Sequence, residues 1–183
     1  LPEPEAFVRA VAAVISSHGM ASRTTLQSFD WRVLKASQTL APGLPLSYHS
    51  AQLPRFNTLA EGDWTAGLKL ADFADAPGMV AAAGGKLWSP HFNDLSQAAL
   101  SRARALSLRV IPWTVNETAD MARLIDWGVD GLITDHPERL RSVMQARGMV
   151  LPPTVTAPAP NAGVALPDAR PQPVRFGVAP DLR

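Results

Sequence analysis

The chain has 183 residues, 46% of them hydrophobic, and a formal net charge of +1. That is enough for one domain with a core of its own, and the charge is spread with no basic cluster, so composition gives no reason to expect a nucleic-acid partner. No apolar run approaches the ~20 residues that a membrane helix needs, and the absence of cysteine excludes disulfides, zinc–thiolate sites and cysteine nucleophiles.

The chain opens Leu1-Pro2-Glu3-Pro4 rather than on methionine, with no signal-peptide pattern. The expectation is that an N-terminal segment has been removed or that the sequence is cut. Phe7, Val8, Val11, Ala12, Val14 and Ile15 recur at helical spacing over residues 4–18, and Gly19 is a natural stop. Thr24 to Phe29 reads as a short strand, and Asp30 is placed to cap a helix running to Leu40. Pro42-Gly43 breaks that helix, and Leu46-Ser47-Tyr48 is a second, weaker strand. Residues 51–66 are polar and aperiodic, which predicts a loop.

A clearer rhythm follows. Lys86 to Ser89 reads as a strand, Asn93 or Asp94 as a cap, and Leu95 to Leu106 as a helix. Arg109 to Val115 is the next strand, Asn116 a cap, and Thr118 to Trp127 a helix closed by Gly128. Gly131 to Thr134 is a fifth strand, and Pro137 opens a helix to Arg147. Strands that alternate with helices of this length must be parallel, because the chain returns to the same end each time. An eight-stranded barrel typically takes ~250 residues, so the periodic region amounts to somewhat more than half of one. After Gly148 the character changes. Residues 152–183 hold eight of the seventeen prolines with no apolar period, which predicts a disordered or extended tail.

Three segments carry a family resemblance. Thr25 to Arg32 (TLQSFDWR) resembles the SFD strand of the glycerophosphodiester phosphodiesterases. Val110 to Asn116 (VIPWTVN) resembles that family's WTVN strand, and Trp127 to Pro137 (WGVDGLITDHP) is similar to its closing segment. Their order and spacing also fit, and the resemblance runs over residues 5–148. It implies an α/β fold: the C-terminal portion of a TIM-type (β/α) barrel with about five parallel strands. The expected division is residues 1–150 as that part of the barrel and, from composition, 151–183 as a Pro/Ala-rich disordered tail. The family hydrolyses glycerophosphodiesters to an alcohol and glycerol 3-phosphate with Ca²⁺ or Mg²⁺.

The resemblance also implies where the chemistry should lie. In the family the catalytic groups come early: a His-Arg-Gly strand, a Glu-x-Asp strand, a His-Asp pair and a later Glu-x-Lys strand. Phosphodiester hydrolysis needs a divalent cation to neutralise developing charge and an acid–base pair to move protons. This chain contains no His-Arg-Gly, His-Asp or Glu-x-Lys. Glu61-Gly62-Asp63 matches Glu-x-Asp formally, but it sits in a polar stretch on the wrong side of the SFD segment. The expectation is therefore no catalytic residue and no metal ligand, with the Ca²⁺ or Mg²⁺ belonging to the complete parent.

What remains is the wall of a pocket. Such barrels place their sites at the C-terminal ends of strands. Phe29 and Trp113 match family positions whose rings line the pocket near the glycerol moiety, and are the expected substrate-binding residues. His49, His91 and His136 also fall at strand ends but lack the close spacing of a metal site. Arg102 and Arg104 are expected on the solvated exterior. Asp30, Asp94, Asn116 and Asp135 are expected as helix caps. The rival expectation is a non-catalytic half-barrel whose open sheet edges drive self-association.

Overall fold

The computed structural model describes residues 3–153, so the expected tail lies outside the described residues except at its first three positions. Helix α1 (Pro4–Ser17) carries a proline in its first turn, where the missing N–H is no loss, and packs on helix α2. Strand β1 (Leu26–Ser28) leads to Asp30, whose carboxylate accepts the Arg32 N–H at 3.0 Å and opens α2 (Trp31–Leu40). Arg32 returns the contact at 2.7 Å, and this hydrogen bond holds the Asp30 carboxyl below its usual range. Strand β2 (Leu46–Ser50) follows and is buried from Ser47 onward, as a parallel strand covered on both faces should be.

Residues 51–66 are not wholly irregular. They hold a short antiparallel hairpin, β3 (Gln52–Leu53) with β4 (Phe56–Asn57). Helix α3 (Ala76–Ala82), capped by Asp75, precedes β5 (Leu87–Pro90). Helix α4 (Gln97–Ala105) is capped by Ser96 rather than by Asn93 or Asp94. Asp94 is engaged elsewhere: it accepts the Gln52 N–H at 2.8 Å, fixing the base of the hairpin. Strand β6 (Arg109–Val110), α5 (Thr118–Trp127) and α6 (Pro137–Ala146) complete the series, and Gly128 closes α5 in the left-handed conformation.

The main sheet has the order β1-β2-β5-β6, every pair parallel. It is the α/β architecture of a barrel segment. The fifth expected strand, Gly131 to Thr134, is not a regular strand, yet it lies alongside the continuation of β6. Val115 N–H donates to Ile133 O at 2.8 Å and Ile133 N–H to Pro112 O at 3.0 Å. Pro112 has no N–H to give, which interrupts the ladder. One link is a side chain instead: Val110 N–H donates to Asp130 Oδ2 at 2.7 Å. The core gathers Trp31, Leu34 and Met79 around Tyr48, Trp88 and Val110 of the strands. Burial pushes the Tyr48 phenol up to about 12, and its hydroxyl donates to the Ala83 carbonyl at 3.1 Å.

Candidate functional site

The C-terminal ends of the parallel strands carry a cluster of rings. Phe29 follows β1, His49 lies in β2, His91 follows β5, and Trp113 follows β6 in a parallel bridge with His91. Phe29 and Trp113 meet edge to face, with centroids 5.2 Å apart and planes at 87°. These residues continue the two outermost strands of the four. Three strand spacings in a flat sheet would separate their backbones by roughly 14 Å with side chains held parallel. The contact therefore requires the sheet to curl, so that its concave face brings the outer strand ends together.

His49 fills the angle between them, 5.2 Å from Phe29 and stacked 6.0 Å from Trp113. Its Nε2 lies 3.1 Å from Gln27 Oε1, an acceptor, so Nε2 carries the proton. The ring is 7% exposed, and burial pulls its pKa down to about 4. It is a neutral imidazole at neutral pH. Trp113 is oriented from behind: its indole N–H donates to Ser89 O at 2.8 Å, while the His91 ring stands edge-on at 5.1 Å. Phe56 of β4 adds a further ring, 5.5 Å from Phe29.

Sequence expectation and structure part company at several residues. Asn116 and Asp135 do not cap helices; Glu117 and His136 occupy those positions. Instead they clasp each other. Asn116 Nδ2 donates to Asp135 Oδ2 at 2.9 Å, and Asn116 Oδ1 accepts the Asp135 N–H at 3.0 Å and the Thr134 hydroxyl at 3.2 Å. The clasp fixes the segment whose ladder is interrupted. Arg102 and Arg104 lie outside the cluster, as expected, but both are engaged. Arg102 pairs with Asp75 at 3.2 Å, and Arg104 donates to the carbonyls of Trp127 and Gly128 at 2.9 and 2.7 Å. His49 and His91 share Trp113, whereas the His136 ring lies 3.5 Å from Glu138.

Hard cations such as Ca²⁺ and Mg²⁺ take several oxygen ligands, carboxylates above all. Among the described residues no three histidines, aspartates or glutamates converge to hold a metal ion. Glu61 and Asp63 are exposed in the stretch between β4 and α3. The described residues thus do not fit such an ion by themselves. No described helix is long and apolar enough to cross a membrane. Phe56 is the ring that sequence periodicity does not reveal. The one local signal is Pro54, which suits the second position of a turn, in Leu53-Pro54-Arg55-Phe56.

Comparison with known proteins agrees with the three segments. The model of the glycerophosphoryl diester phosphodiesterase family matches residues 2–139. A glycerophosphodiester phosphodiesterase of Bacillus subtilis (strain 168) is 28% identical over 130 residues, covering 71% of this chain and 39% of its own length. Among solved structures, a candidate glycerophosphoryl diester phosphodiesterase from Silicibacter pomeroyi DSS-3 superposes with a TM-score of 0.68 and 36% identity, covering 80% of this chain and 46% of that one. An Oleispira antarctica phosphodiesterase, solved with the product sn-glycerol-3-phosphate, shares the fold at a TM-score of 0.59 and 17% identity, covering 78% of this chain and 50% of that one. The chain thus spans about half, or less, of the length of each of these relatives.

Proposed function

Because the chain belongs to the glycerophosphoryl diester phosphodiesterase family, we propose that residues 1–150 supply the glycerol-binding wall of a barrel that hydrolyses glycerophosphodiesters to an alcohol and glycerol 3-phosphate. The observation that carries this reading is the meeting of Phe29 and Trp113 at 5.2 Å across the sheet's concave face. Both rings are half-buried, so part of each remains accessible. Aromatic surface of this kind gives the carbon backbone of glycerol an apolar contact and excludes water from it. His49, buried and neutral, supports both rings without placing a charge beside a phosphate. The acid–base pair and the carboxylates for Ca²⁺ or Mg²⁺ are assigned to residues outside this sequence, in keeping with the missing His-Arg-Gly, His-Asp and Glu-x-Lys patterns.

Calorimetric titration of the 183-residue chain with sn-glycerol 3-phosphate tests the wall. Removing either ring, in Phe29→Ala or Trp113→Ala, should weaken binding by about three- to tenfold, with circular dichroism confirming the fold. Unchanged affinity in both variants would remove the assignment. Turnover of glycerophosphocholine by this chain, lost on chelation, would move the chemistry back onto Glu61, Asp63 and the histidines.

A second reading follows from β1, which has β2 as its one strand partner in the described sheet. A free strand edge is a template for pairing. On this reading the chain associates with a second copy as a non-catalytic module.

A further inference from the structure

The β3–β4 hairpin rises directly from the C-terminal end of β2, the end that carries the ring cluster. Its base is fastened on two sides. Gln52 N–H donates to Asp94 Oδ2 at 2.8 Å, and Thr58 N–H donates to the Ala51 carbonyl at 2.9 Å while the Thr58 hydroxyl accepts the Ala51 N–H at 3.1 Å. A hairpin of two-residue strands has little stability of its own, so these links are what hold it against the site. At its end Phe56 meets Phe29 edge to face at 5.5 Å and 70°, while 40% of its surface remains open. Phe29 therefore touches both Trp113 and Phe56. A lone exposed apolar side chain needs no explanation. A ring braced on a pocket residue by a pinned hairpin is a different matter.

We propose that Phe56 determines specificity: it contacts the alcohol portion of a glycerophosphodiester and favours alcohols with hydrocarbon or methylated-ammonium surface over polyhydroxylated ones. The inference rests on the assignment of Phe29 and Trp113 to the glycerol moiety. A diester runs from glycerol through phosphate to the alcohol, so the more exposed ring in contact with Phe29 is the one that the outer portion would meet. A phenyl face attracts hydrocarbon and cationic methyl groups. It offers no hydrogen bond to a hydroxyl, so burying a polyol against it is unfavourable.

Three ligands titrated calorimetrically into the full chain separate the possibilities: sn-glycerol 3-phosphate, which has no alcohol portion, glycerophosphocholine and glycerophosphoinositol. The wild-type chain should bind the choline diester more tightly than the inositol diester. Phe56→Ser should weaken the choline diester by about three- to tenfold and leave glycerol 3-phosphate within about twofold. Phe56→Leu, which keeps apolar bulk, should recover part of the loss. Equal weakening toward all three ligands would mean that Phe56 only supports Phe29, and unchanged affinities would mean that it touches no ligand; either overturns the proposal. Failure of glycerol 3-phosphate to bind the wild-type chain would instead overturn the glycerol assignment, and this inference with it.

Discussion

His49 is the residue whose environment has the clearest consequence. Burial lowers its pKa from 6.5 to about 4, so folding keeps the ring neutral where an unfolded chain would charge it. Above pH 6.5 both states hold a neutral imidazole and the group has no effect. Between pH 6.5 and 4 the unfolded chain binds the proton first, and stability falls through that window by up to about 3 kcal/mol. Urea unfolding at pH 7.5 and 4.5 should show this loss, and His49→Gln should reduce it. An equal loss in the variant would show that other groups carry the acid sensitivity. Of the ring cluster, Phe29 and Trp113 were legible because each sits in a segment that resembles the family. Their contact was not, since it depends on sheet curvature, which no local pattern encodes. Phe56 lay in a stretch without apolar period, and its place follows from side-chain links at Gln52 and Thr58 that only the assembled fold creates.

At the level of elements, tight packing between strand and helix is concentrated at Gly85. A Cβ there would lie 2.6 Å from Val80 Cγ1 and 2.9 Å from the Val80 carbonyl oxygen, so backbone would have to move. Gly85→Ala should destabilise the chain by about 1–3 kcal/mol. At Gly43 an added Cβ meets nothing within 4 Å, and Gly43→Ala should be neutral or slightly stabilising. Equal unfolding midpoints for the two variants would contradict this picture of the junction before β5. Helices were the most legible elements: α5 begins at Thr118 and ends at Trp127 as its spacing and Gly128 indicate. Strands were less so. The run from Arg109 to Val115 reads as one apolar strand, but regular pairing ends at Val110, ahead of Pro112. Asn116 and Asp135 have the chemistry of caps, yet they face each other across neighbouring segments and bond there instead.

For the molecule as a whole, the edge position of β1 separates the two functional readings. If the free edge pairs with a second copy, size-exclusion chromatography with light scattering should give a dimer mass that depends on concentration; a monomer at every concentration would leave only the barrel-wall reading. The sheet order has a kinetic consequence too. Because β1, β2, β5 and β6 neighbour one another in the order in which they occur along the chain, each new pairing closes one modest loop rather than spanning the whole polypeptide. Loop-closure entropy is met in instalments of one crossover each, and pairing of this parallel kind is slower than the closing of a local hairpin. The sheet can thus be assembled one neighbouring strand at a time, with the Asn116 clasp joining the Gly131–Thr134 segment to the end of that series.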